Sequence, residues 1–222
     1  QVAERLTERM VRPRLPVDAG HLRSLVEQWF DPLSAPTDTR DVHPNAGPAS
    51  SGLDPQAVAA VLVALRPVVL MTGGPGTGKT TTLARAMAVL AELNAAREFR
   101  MALAAPTGKG ANRALAAVGH AIEQVGMSPR ARALLPRRAM TLHRLLGARR
   151  DGGGFRHDAS RPLPLDAVFV DEASMVDTGL LARFLDAVPS TCRVVLLGDP
   201  DQLPAVEPGA ALADLAVAAG GY

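Results

Sequence analysis

Lysine is nearly missing from this chain of 222 residues. Twenty-four residues are Lys or Arg, and only Lys79 and Lys109 among them are lysines. Aromatic residues make up 3%, so a core has to be assembled from Ala, Val, Leu and Met. A single cysteine, Cys192, excludes an intrachain disulfide and a cysteine-based metal site. It precedes the apolar run at 194–197 and reads as an inert, buried thiol. No apolar stretch reaches the roughly 18 residues that a membrane-spanning helix needs, and no signal peptide is visible. The expected compartment is the cytoplasm, with no membrane partner. Net charge is only +2, too weak an excess to identify a polyanionic partner, so the placement of the arginines matters more.

What is present is ordered along the chain. Residues 1–33 are expected to form a small helical N-terminal domain: Val2, Leu6 and Met10 share a helical face, and Leu22, Leu25, Val26 and Phe30 repeat the spacing. Residues 34–52 are rich in Pro, Ser, Asp and Gly and read as a linker. From 53 to 222 strands and helices alternate. Asp54 is an N-cap with Pro55 at the first helical position, opening a helix to about Leu65. Short apolar runs follow at 68–71, 101–104, 168–170 and 193–197. Runs that are apolar throughout predict a parallel sheet covered by helices on both faces, an α/β fold. Every polar motif follows the C-terminal end of a strand, where open α/β sheets bind ligands.

The first lysine closes Gly73-Gly74-Pro75-Gly76-Thr77-Gly78-Lys79-Thr80, which fits the phosphate-binding pattern G-x-x-x-x-G-K-[ST] between an expected strand and an expected helix. Gly73, Gly76 and Gly78 let the backbone approach a phosphate without a Cβ in the way. Backbone N–H groups at the helix start supply partial positive charge. Lys79 reaches the β/γ-phosphates of ATP and the Thr80 hydroxyl is a Mg²⁺ ligand. Gly74, Pro75, Thr77 and Thr81 complete the nucleotide-binding run. Asp171 and Glu172 end the third apolar run: Asp171 would hold Mg²⁺, directly or through water, and Glu172 would orient or deprotonate the attacking water. A surface turn is the competing reading of that pair.

Five segments then stand in a telling order. They are the phosphate loop through Thr82, Ala105-Pro106-Thr107-Gly108-Lys109, Thr141-Leu142-His143-Arg144-Leu145-Leu146-Gly147, Asp171-Glu172-Ala173-Ser174-Met175-Val176-Asp177 and Gly198-Asp199-Pro200-Asp201-Gln202-Leu203-Pro204-Ala205-Val206. In this order they resemble the motifs of superfamily 1 DNA helicases, and within these the RecD family, over residues 53–214 and more weakly in the helices before them. The resemblance implies a RecA-like P-loop lobe that hydrolyses ATP with Mg²⁺. It implies 5′-to-3′ unwinding of DNA, action on single strands and duplex ends in double-strand-break repair, and RecB-like and RecC-like partner subunits, with any nuclease in a partner. It further implies that Gln56 reads the adenine edge, since an amide donates and accepts at once. Gln202 would sense the γ-phosphate and act in catalysis beside Lys79 and Glu172. Single-strand contacts are implied at Pro106, Thr107, Lys109, Thr141, His143 and Arg144, where hydroxyls, backbone N–H groups and cations track phosphates without reading bases. A second RecA-like lobe, the source of an arginine finger in this family, is expected to lie outside this chain.

Some readings stay open. His143 is either a strand contact or a helix N-terminal histidine satisfied by a neighbour. Nine arginines fall between positions 130 and 161 against Asp151 and Asp158 alone, and they suit DNA phosphates, a partner subunit or a solvated face. Gly110 and Asn112 depart from the small alanines usual in the family, and a glycine there costs a helix up to about 1 kcal/mol. A stand-alone RecD-like helicase and a non-motor P-loop subunit are the alternative functions. A P-loop phosphotransferase or signalling NTPase would leave Lys109, the Thr141 segment and Gln202 without purpose.

Overall fold

A strand that is apolar on both sides needs cover on both sides. The computed structural model, which describes residues 17–30, 54–74, 76–149 and 153–199 together with Val2, Arg5, Leu6 and Arg9, meets that need with one five-stranded sheet. Its strands are β1 (Val68–Thr72), β2 (Met101–Ala105), β3 (Ala139–Thr141), β4 (Ala167–Val170) and β5 (Arg193–Gly198). They lie in the order β1-β5-β4-β2-β3, every neighbour parallel. Four of these strands fall on the expected apolar runs, and β3 is an addition.

Successive strand residues point to opposite faces, and the core divides accordingly. Met101, Leu103, Ala167, Phe169, Val195 and Leu197 join one apolar cluster. Ala102, Ala104, Val168, Val170, Val194 and Leu196 join the other. The first cluster is closed by α1 (Ala19–Trp29), α2 (Pro55–Leu65), α3 (Lys79–Leu93), α4 (Gly108–Glu123) and the short α5 (Pro129–Leu134). The second is closed by α6 (Leu142–Leu146) and α7 (Thr178–Ala187). The expected α/β sheet with helices on both faces is therefore what the chain forms.

Helix starts follow side-chain caps. Asp54 accepts from the Gln56 N–H at 2.8 Å with Pro55 at the first position of α2. Asp18 caps α1 by accepting from the His21 N–H at 3.0 Å. Ser128 with Pro129 opens α5, its hydroxyl accepting from the Ala131 N–H at 3.2 Å. The start of the chain docks on the lobe: Val2 and Leu6 are buried in the second cluster, while Leu22, Leu25 and Phe30 belong to the first. Arg9, nearly buried, donates to the carbonyls of Leu185, Val188 and Pro189, where α7 runs out of partners. Met10, Pro75, the 34–52 linker and residues from 200 onward, Gln202 among them, lie outside the described residues. No described helix is long and apolar enough to cross a membrane.

Cys192 is fully buried, and burial pushes its thiol from 9.0 up to about 12. At neutral pH it is a protonated, apolar filler, as its place before β5 suggested. The folded state keeps this proton after the unfolded chain has released it. The stabilisation is therefore whole below pH 9 and is lost as pH rises toward 12. Urea unfolding is expected to show stability falling across that window by about 1.4 kcal/mol per pH unit more steeply in the wild type than in Cys192→Ala. Equal slopes in the two proteins would contradict this.

Candidate functional site

β1 hands the chain to residues 73–78, and α3 begins at Lys79. Gly76 and Gly78 take φ values of 76° and 78°, a region that side-chain-bearing residues rarely enter. A Cβ on Gly73 would stand 2.8 Å from the Thr77 hydroxyl, which donates to the Gly74 carbonyl at 2.9 Å. Lys79 Nζ donates to the carbonyls of Gly73 and Gly74, the latter at 2.6 Å. The first N–H groups of α3 have no partner inside the helix, so the helix start offers open donors beside the Lys79 ammonium.

Because β5 lies between β1 and β4, the loops after all three strands meet in one cleft of about 460 Å³. Its wall includes Gly74, Gly76, Thr77, Gly78, Lys79, Thr80 and Thr81 on one side and Asp171, Glu172 and Asp199 on the other. The Asp171 N–H donates to Ala104 at 2.9 Å, tying the end of β4 to β2, and its Oδ1 accepts from the Glu172 N–H at 2.9 Å. The donor set suits its expected ligands. A triphosphate needs N–H groups and a lysine, and Mg²⁺ takes hard oxygens, one or two carboxylates plus the substrate's own phosphates. Thr80 and Asp171 provide such oxygens without a preformed cage: among the described residues no three His, Cys, Asp or Glu converge as a metal site.

Glu172 is set apart by its backbone. Among the described non-glycine residues it alone has positive φ, at 54°, a left-handed turn that costs about 1–2 kcal/mol. The turn sends its carboxylate toward α4. Oε1 accepts from Arg113, and Oε2 lies 2.6 Å from where a Cβ on Gly110 would stand. The glycine that looked like a flaw in the helix is the space the carboxylate occupies. Thr107 secures the helix start regardless, its hydroxyl accepting from the Gly110 N–H at 3.0 Å. Gly108 and Lys109, expected in a loop, are thus the first two residues of α4.

Gln56, in the first turn of α2, stands beside the phosphate loop. Its Nε2 is 3.5 Å from the Cβ position of Gly78, and its Oε1 accepts from Arg85 at 2.9 Å. Arg85 in turn lies over the Phe30 ring at 5.4 Å. The expected strand contacts gather at the far end of the same edge. Ala105 is in register with Thr141, so α4 and α6 start at the same end of the sheet, α4 toward the face of the first cluster and α6 toward that of the second. Lys109 is exposed, and its side chain makes no hydrogen bond or ion pair with another described residue. Thr141 caps α6, its hydroxyl accepting from the Arg144 N–H at 3.2 Å. His143 and Arg144 are exposed, and the His143 ring has a neighbour in Phe155 at 5.9 Å. The described arginines between 130 and 161 are all exposed.

Two residues that sequence reasoning passed over belong to this site. Arg85 fixes the Gln56 amide, and Arg113 lines the cleft and holds Glu172. Nothing in the sequence singled out Arg113, whose spacing, four residues past Lys109, is that of any helix face.

Comparison with known proteins adds the family. A family model described as "AAA domain" matches residues 56–208. The chain is 50% identical over 169 residues to the RecBCD enzyme subunit RecD of Mycolicibacterium smegmatis, covering 74% of this chain and 30% of that protein. It is 48% identical over 168 residues to the RecBCD enzyme subunit RecD of Mycobacterium tuberculosis (strain H37Rv), covering 74% and 29%. It is 43% identical over 152 residues to the ATP-dependent RecD2 DNA helicase of Deinococcus radiodurans, covering 68% and 18%. The chain spans less than a third of the length of these curated relatives.

The account of Gly110 is tested by a matched pair of substitutions in α4. Alanine in place of an ordinary helical glycine stabilises by about 1 kcal/mol. Gly119→Ala should show that gain, because its added Cβ meets nothing within 4 Å. Gly110→Ala should show little or none, because it displaces the Glu172 carboxylate from Arg113. Equal rises in melting temperature would contradict the packing described.

Proposed function

The chain belongs to the AAA domain family, with RecD proteins as its relatives, and on that premise we propose that it is the first motor lobe of an ATP-dependent 5′-to-3′ DNA helicase. In this reading residues 1–33 are its small N-terminal domain, 53–222 are the lobe, and the whole protein is a RecD-like subunit working with RecB-like and RecC-like partners at double-strand breaks. The observation that supports it best is the shared edge: the phosphate loop, the Asp171–Glu172 pair and the starts of α4 and α6 all follow the C-terminal ends of the parallel strands.

Each residue then has a task. The amides of residues 73–78 and of the α3 start cradle the phosphates, and Lys79 leaves the Gly73 and Gly74 carbonyls for the β/γ-phosphates. Thr80 and Asp171 hold Mg²⁺, which when bound neutralises charge on the β- and γ-oxygens. Glu172 orients the attacking water or takes its proton, with Gln202 as the γ-phosphate sensor. Gln56, steadied by Arg85, offers its amide to the adenine edge. Pro106, Thr107, Lys109, Thr141, His143 and Arg144 follow the strand through its phosphates, which gives affinity without sequence preference. Turnover needs a second lobe to close on the cleft, since an arginine finger typically contributes about 10³–10⁵ in rate.

The similarity to a RecD2 helicase favours a second version, in which the parent protein unwinds DNA without partners. Purification of the tagged parent protein from its own cells separates the two: two stoichiometric subunits are expected for the complex, none for the stand-alone enzyme.

The helicase reading itself is tested with the parent protein on tailed duplexes. Unwinding should require a 5′ tail and be lost in Lys79→Ala. Glu172→Gln should still bind ATP while hydrolysis drops by about 10²–10⁴, the usual worth of one acid–base group. Unwinding that persists in Lys79→Ala would assign the motor elsewhere.

A further inference from the structure

One helix touches both halves of the site. Lys109 and Arg113 are four residues apart on α4 and so share a side of it, with Gly110 beside them against Glu172. Lys109 stands in the first turn of α4, at the end of the sheet where β2 and β3 finish in register. Arg113 lines the nucleotide cleft and donates to Glu172. The pair is unequal: the Arg113 side chain is 71% exposed, that of Glu172 20%. An exposed guanidinium with five donors changes partners at little cost. The carboxylate has less freedom, fixed by its left-handed backbone and by the space over Gly110.

We propose that Arg113 is a positioning residue that holds the Glu172 carboxylate on α4 while no strand is bound, and turns to the strand's phosphates when DNA occupies the Lys109 edge. The proposal rests on the reading of Glu172 as the water-orienting carboxylate and of the α4 start as a strand contact. While Arg113 is in place, its charge-assisted hydrogen bond to Oε1 holds the Glu172 carboxylate against α4 and competes with a water for that oxygen. A phosphate offers the guanidinium two oxygens at once, a better match than the one oxygen it has here. Its departure frees Oε1 of Glu172, which already lines the cleft, for a water held there. Strand binding thereby switches on water activation, and by linkage Glu172 and the strand compete for one cation.

That competition is measurable without nucleotide. A fluorescently labelled oligothymidylate is titrated into the parent protein as wild type, Arg113→Ala, Glu172→Gln and the double variant. Glu172→Gln should tighten binding about two- to fivefold, the scale of one exposed ion pair released. The gain should vanish when residue 113 is alanine and largely return in Arg113→Lys. Independent, additive effects of the two substitutions would overturn the proposal. A second readout is hydrolysis without DNA: Arg113→Ala should raise it and so narrow the ratio of strand-stimulated to strand-free rate, and a strand-free rate that stays the same or falls also overturns the proposal. The underlying reading fails separately, if none of the four proteins binds the oligonucleotide or if Glu172→Gln hydrolyses ATP undiminished.

Discussion

Strands that hydrogen-bond in parallel must all finish at the same edge of their sheet, and the rest of this molecule depends on that constraint. The register carries it through in detail: Thr72 pairs with Gly198, Val170 with Leu196, Ala104 with Val170 and Ala105 with Thr141. Four stretches far apart in the sequence, after β1, β5, β4 and β2, are thereby brought to one rim. The apolar faces hold the ladder between two helical layers, where water cannot compete for its backbone hydrogen bonds. Burial thus fixes the direction of the strands, and direction fixes where polar groups converge.

On that rim the polar residues divide into two fields. One is concave and built to take phosphates: positive-φ glycines, unpaired helix amides and an ammonium folded onto two carbonyls. The other is open and carries exposed cations at the starts of α4 and α6. The two lysines of this lysine-poor chain fall one in each field. α4 joins the fields because its first turns face both ways, and Gly110 allows the contact by leaving room for a carboxylate. A residue costly for the helix in isolation is explained by its neighbour in space, an instance of local preference yielding to a tertiary contact.

The sequence made parts of this plain and hid others for physical reasons. β1, β2, β4 and β5 were legible because strands covered on both faces have no polar alternation, and the phosphate loop because its spacing is rigid. The caps at Asp54 and Pro55 could be read directly, and Ser128 with Pro129 offered the same signal for α5 in a stretch read only for its arginines. β3 could not be read: it has three residues, none fully buried, and pairs on one side only. The helical start at Gly108 was obscured because glycine argues against a helix until Thr107 is seen to cap it. Arg113 was invisible as a site residue, since an exposed arginine on a helix acquires meaning only from a carboxylate 59 positions away.

The central claim is that one sheet edge joins nucleotide chemistry to a DNA strand. ATP hydrolysis by the parent protein, measured with and without single-stranded DNA, tests it most directly. The account predicts a slow rate alone and a strongly raised rate with the strand, both lost in Glu172→Gln. A hydrolysis rate indifferent to DNA would contradict it.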